Sequence, residues 1–194
     1  MKQFFYKGIL SSVLLFTSIS VHAFTDMNGK KDDITNHIGK NKWTIVEVWE
    51  SNCHLCRVHM PDLVKFDGKL KNARILGISL DGQAGVEAAE AFISEYDIKF
   101  PNMLSNPIEM NIWMQQNLEE SLIGTPTFML FDDKGFLVAA QPGVVSVESL
   151  EKFITENSKP VKTKKEVKNK NNVQTKNTST KTNTSEYVFD GVSD

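Results

Sequence analysis

The sequence predicts an α/β sandwich built around a mixed central β-sheet. Three observations carry that expectation. Apolar, β-branched runs of strand length alternate with amphipathic segments of helical length. The chain then closes on a hairpin signal, Asp132-Asp133-Lys134-Gly135, followed by one more helix. Finally, 24% of the 194 residues are charged and 40% are apolar. That is the composition of an ordinary soluble domain; it excludes a collagen, a coiled-coil rod and a multi-span membrane protein.

Each element follows from its local pattern. Trp43–Trp49 (WTIVEVW) is an apolar run fit for a central strand. His54–Leu70 carries Leu55, Val58, Leu63, Val64 and Phe66 at helical spacing, with a kink expected at Pro61. Ala73–Leu80 (ARILGISL) reads as a second buried strand. Val86–Tyr96 is an Ala- and Glu-rich amphipathic helix, and Ile108–Asn117 a short helix after Pro107. Thr127–Phe131 (TFMLF) is a strand, and Phe136–Ala140 is its antiparallel return. Ser146–Glu156 is the last helix, with Ser146 as its N-cap.

The ends differ from this middle. Residues 1–23 read as a secretory signal peptide: Lys2 and Lys7, then the apolar run Gly8–Ile19, then Val21-His22-Ala23 before a cleavage at Phe24. The run of about a dozen residues falls short of the ~20 that a spanning helix needs, so no stable membrane span is expected. Residues 158–194 are rich in Lys, Asn, Thr and Ser and read as a disordered tail. An apolar patch, Tyr187-Val188-Phe189, lies near its end. The tail holds eight Lys against Glu166, Glu186, Asp190 and Asp194, which leaves residues 24–157 at a net charge of −8. An acidic body of this kind is a poor nucleic-acid binder.

Both cysteines lie in Cys53-His54-Leu55-Cys56, directly after the first strong strand and at the start of a helix. A helix N-terminus stabilises an anion through its unpaired N–H groups and its dipole. This makes Cys53 the expected nucleophile. Cys56, one turn deeper, is the expected resolving thiol, and two cysteines so placed can close a disulfide without moving the backbone. A metal site completed by His54, His59 and one remote residue is set aside, because the two histidines do not share one face with both thiols. A structural disulfide would remove little unfolded-state entropy from so short a loop.

From Phe24 to about Asn157 the chain resembles the thioredoxin superfamily, in its TlpA-like periplasmic branch of the ResA and CcmG type. The resemblance rests on Glu47-Val48-Trp49, on Cys53-His54-Leu55-Cys56, on Pro61, and on Gly124-Thr125-Pro126-Thr127-Phe128. Phe24-Thr25-Asp26 with Asn28-Gly29-Lys30 is similar to the opening hairpin of that branch. Lys99–Leu104 is similar to the segment after its inserted helix.

The resemblance implies a thioredoxin-like three-layer α/β/α sandwich and a redox-active Cys53–Cys56 disulfide. It implies a cis Thr125-Pro126 bond whose Thr125 backbone pairs with the client. Glu47 becomes a buried acid below Cys56, able to take its proton, and Trp49 a packing residue beneath the active-site loop. No cofactor is implied. The expected partners are disulfide-containing or thiol client proteins and a DsbD-type membrane electron donor, with a monomer as the default state and a periplasmic or secreted location.

Two departures matter. Asn52 stands where many relatives carry Trp, and His54-Leu55 stands where many carry Pro. A cationic His54 would favour the Cys53 thiolate and make the couple more oxidising. A DsbA-like oxidase or isomerase is therefore the alternative, although no long inserted helical domain is visible between Gly82 and Gly124. A Cu(I)-binding role and a peroxidase role are weaker: peroxidases of this fold use a Thr-x-x-Cys site, and Cys53 occupies the place of that Thr.

Overall fold

The computed structural model describes residues 23–158. The expected leader and tail lie outside these residues, apart from Ala23 and Ser158. The strands are β1 (Phe24–Asp26), β2 (Lys31–Asp32), β3 (Trp43–Trp49), β4 (Ala73–Ser79), β5 (Asn102–Leu104), β6 (Thr127–Phe131) and β7 (Leu137–Pro142). The helices are α1 (His54–Phe66), α2 (Val86–Glu95), α3 (Pro107–Leu118) and α4 (Val147–Asn157).

The strands form one sheet in the order β2-β1-β5-β4-β3-β6-β7. The pairs β3–β4 and β4–β5 are parallel, while β1–β2, β1–β5, β3–β6 and β6–β7 are antiparallel. The expected mixed sheet is thus present, with β3 inside it and buried at all seven positions. Alternation along β3 splits the core into two layers. Ile45 and Trp49 pack with Cys56, Met60 and Leu63 of α1, Phe92 of α2 and Ile154 of α4. Val46 and Val48 pack on the other face with Met110 and Met114 of α3. This is the three-layer sandwich.

Local chemistry sets the element ends. Asn106 Oδ1 accepts from the N–H groups of Ile108 (3.1 Å) and Glu109 (3.0 Å), which starts α3 with Pro107 in its first turn. Ser146 Oγ accepts from Ser149 N–H at 3.2 Å and starts α4. In the β6–β7 turn, Asp132 Oδ1 accepts from Lys134 N–H and Phe136 N–H, both at 2.9 Å.

Several element ends fall a residue or more from the expected ones. α1 ends at Phe66 and not at Leu70, because Gly68 takes φ +73° and turns the chain. α1 remains helical through Pro61, which removes only the N–H that would have bonded the Arg57 carbonyl. β7 begins and ends one to two residues later than the apolar run suggests, and Phe136 is exposed in the turn. β5, at three residues, carries no period of its own.

Candidate active site

The site forms where β3 ends. Its chain leaves the sheet at Trp49, turns through Glu50, Ser51 and Asn52, and enters α1 with Cys53 as the N-cap. Asp81, just past β4, fixes this turn. Its carboxylate accepts from Ser51 N–H (3.0 Å), Ser51 Oγ (2.7 Å) and Ser79 Oγ (2.7 Å). From α1, Arg57 Nε donates to Ser51 O at 3.1 Å, while its NH1 group reaches both oxygens of Glu95 on α2. The loop is therefore tied to β4, to α1 and through Arg57 to α2.

Cys53 and Cys56 are joined as a disulfide with their Cα atoms 5.3 Å apart, within the usual range. Cys53 is half-buried and Cys56 is fully buried. The N–H of Cys56 donates to Cys53 Sγ at 3.1 Å. This bond and the start of the helix aim partial positive charge at the outer sulfur, the arrangement that favours a thiolate there. His54 and Leu55 both lie exposed on the first turn, with Leu55 at 49%.

Trp49 forms the floor. It is fully buried, stacks on Phe92 with ring centroids 4.5 Å apart, and donates from Nε1 to Asn102 Oδ1 at 3.1 Å. Gly77 makes room for that bond, since a Cβ there would strike the Asn102 side chain and lie 2.9 Å from Trp49 Nε1.

Glu47 lies between Ile45 and Trp49 on the α1 face of β3, fully buried, with Gly77 and Phe128 as its strand neighbours. Neither carboxylate oxygen has a hydrogen-bond partner. Burial pushes its carboxyl above the ordinary range, and His59 opposes the rise. His59 Nδ1 is 3.8 Å from Glu47 Oε1.

On the other side of the loop, the Thr125-Pro126 bond is cis. Thr125 Oγ1 donates to Glu50 Oε2 at 3.1 Å, which ties this segment to the turn before Cys53. Among the described residues no backbone hydrogen bond engages the N–H or C=O of Thr125. Beside it opens a groove of about 410 Å³, lined by Ile108, Ile112, Leu122 and Ile123 and also by Glu50 and Thr125. Ile108 and Ile123 are 73% and 76% exposed.

The structure thus gathers Cys53, Cys56, Glu47, Trp49, Thr125 and Pro126 around one end of the sheet, with His54 and Leu55 on its rim. Sequence reasoning misses Asp81, Asn102 and the groove. Asp81-Gly82 reads locally as an ordinary turn, so nothing marks it. His59 enters the sequence reading only as a metal ligand; its place at the i+3 position from Cys56 is the available signal.

A dithiol at a helix N-terminus on this sheet, beside a cis-proline segment, defines a thioredoxin-like thiol–disulfide oxidoreductase. The AhpC/TSA family profile matches residues 20–140, and the chain belongs to that family. It is similar to the thiol-disulfide oxidoreductase ResA of Bacillus thuringiensis subsp. konkukian, at 27% identity over 130 residues, covering 67% of this chain and 70% of the relative. ResA of Bacillus anthracis is 26% identical over 136 residues, with the same coverage of 67% and 70%. Among solved structures, a thiol:disulfide interchange protein from Chlorobium tepidum superposes with a TM-score of 0.56 at 20% identity, covering 68% of this chain and 88% of that one. The thioredoxin domain of a thiol-disulfide oxidoreductase from Bacteroides vulgatus gives 0.54 at 23% identity, covering 70% and 96%. These two likenesses show the fold.

Proposed function

We propose that this chain reduces selected disulfides of extracytoplasmic proteins, with Cys53 as nucleophile and Cys56 as resolving thiol. The observation that carries the reading is the unequal exposure of two sulfurs at one helix start. Cys53 can meet a bulky disulfide and the fully buried Cys56 cannot.

In the reduced enzyme the Cys53 thiolate attacks one client sulfur, and the other leaves as a thiolate. Cys56 then gives its proton to Glu47 and attacks Cys53 Sγ. The client sulfur held on Cys53 leaves as a thiolate, two electrons have passed to the client, and the enzyme holds the Cys53–Cys56 bond. An external donor must reduce it again, and the family resemblance points to a DsbD-type membrane protein. The free Thr125 backbone suits strand-like pairing with an extended client, and the isoleucine-lined groove suits an apolar client side chain. His54 and Leu55 face the client, and Trp49 holds the floor. The leader-like residues 1–23 support a periplasmic or secreted location. No described helix is long and apolar enough to cross a membrane.

The test is the reduction potential of the Cys53–Cys56 couple by equilibration with glutathione. Thioredoxin lies at about −270 mV and DsbA at about −120 mV. A value near the lower end supports the reductase. A value near the upper end transfers the assignment to an oxidase, with His54 beside Cys53 as its cause.

A further inference from the structure

We propose that His59 is a positioning residue that works with Glu47 as one buried proton-holding pair, keeping Glu47 able to accept the proton of Cys56. The proposal deepens the reading of Glu47 given above and rests on it.

The two groups are isolated together. Glu47 is fully buried and His59 is 6% exposed. Both oxygens of Glu47 and both ring nitrogens of His59 lack a hydrogen-bond partner. Nδ1 and Oε1 stand 3.8 Å apart, so a shift of roughly 1 Å makes a hydrogen bond. The imidazole is held in that place by an edge-on contact with Phe128, the strand neighbour of Glu47, at 5.3 Å between centroids. Cys56 and His59 are both buried and one turn apart on α1, so thiol, imidazole and carboxyl share the space between helix and sheet.

The other groups that neighbouring elements pack against this layer are apolar, apart from Cys53 and from Tyr96, which packs on Phe92 beside Arg57. β4 offers Gly77 beside Glu47, and β6 offers Phe128. From α2 come Ala89 and Phe92, while Glu95 turns outward to Arg57. From α4 come Leu150 and Ile154, while Glu151 turns outward to Lys69.

A lone carboxyl in such a space keeps its proton, since burial disfavours the charged form. A protonated Glu47 cannot take a second proton from Cys56. His59 beside it opposes that rise, so Glu47 can be ionised when Cys56 gives up its proton. During resolution the Cys56 S–H bond breaks and its proton passes to Glu47. The thiolate forms the S–S bond to Cys53, and the client sulfur leaves with the electron pair and takes a proton from water. The pair afterwards returns the extra proton to solvent.

The experiment measures the pH profile of the resolving step, in single turnovers of a preformed mixed disulfide on Cys53, for wild type, His59→Phe, His59→Gln and Glu47→Gln. His59→Phe keeps a ring against Phe128 and removes both nitrogens; His59→Gln serves if it does not fold. The expected result is that the acid limb moves up by about one pH unit or more, so that the rate at pH 7 falls about tenfold and recovers at alkaline pH. Cys53 alkylation should keep its wild-type pH dependence, and His59→Phe should add nothing in a Glu47→Gln background. An acid limb unmoved in His59→Phe and His59→Gln overturns the proposal. If Glu47→Gln moves the limb while the His59 variants do not, Glu47 stands and the pairing alone fails. If Glu47→Gln also leaves it unmoved, the underlying role of Glu47 fails as well.

Discussion

Replacing Asp81 should loosen the loop that presents Cys53. Its carboxylate accepts three hydrogen bonds, two from Ser51 and one from Ser79 Oγ. Each hydrogen bond to a charged group contributes about 1.5–3 kcal/mol. The two Ser51 donors are half-exposed and can turn to water, whereas Ser79 is fully buried and cannot. Asp81→Ala should therefore cost about 2–4 kcal/mol, most of it at Ser79. With a urea slope of about 2 kcal/mol/M, the unfolding midpoint drops by roughly 1–2 M. Asp81→Asn keeps one oxygen and a side chain of the same shape, so it should lose well under half as much. Urea titrations of the oxidised protein, followed by Trp fluorescence, read both numbers. An Asp81→Ala midpoint equal to wild type refutes the anchoring role. Equal losses in the two variants would mean that charge, and not the geometry of the acceptors, is what matters.

Glu47→Gln should also change the pH dependence of stability. The folded carboxyl titrates above its ordinary value of 4.5, so the folded state keeps a proton that the unfolded state loses. Wild-type stability is then full below about pH 4.5 and falls as pH rises toward the folded value, by about 1.4 kcal/mol for each pH unit crossed. The Gln variant should lack that decline, and parallel curves from about pH 4 to 8 would contradict it. Gly77→Ala should break the Trp49–Asn102 bond and cost about 1–3 kcal/mol, with a changed Trp emission; an unaltered spectrum and midpoint would show that the space is not needed. Ile108→Ser with Ile123→Ser should raise KM for a protein client and leave reduction of a small disulfide unchanged. Equal effects on both substrates would remove the groove from client docking.

The legible parts of this molecule are those where one residue pattern answers to one physical cause. WTIVEVW is buried on both faces and could only be a central strand, which also places Glu47 inside. The hairpin turn and the cap Ser146 use side chains that bond their own backbone, a local matter that spacing can show. β5 has three residues and owes its strand form to pairing with β1 and β4, which no local pattern contains. Spacing misplaces the end of α1 because Leu70 continues the apolar pattern, while Gly68 turns the chain two residues earlier. At the site, the CxxC and its helix start are plain. Asp81, Asn102 and the Glu47–His59 pairing are long-range contacts, and only the folded sheet brings them together.

The central claim is the division of labour between the two sulfurs. Cys56→Ser should accumulate a mixed disulfide through Cys53 when mixed with an oxidised protein client, visible as a reducible adduct by non-reducing gel and mapped by mass spectrometry. Cys53→Ser should form none, because Cys56 is shielded from a bulky partner. An adduct on Cys56 in the Cys53→Ser protein, together with none on Cys53 in the Cys56→Ser protein, would contradict the account.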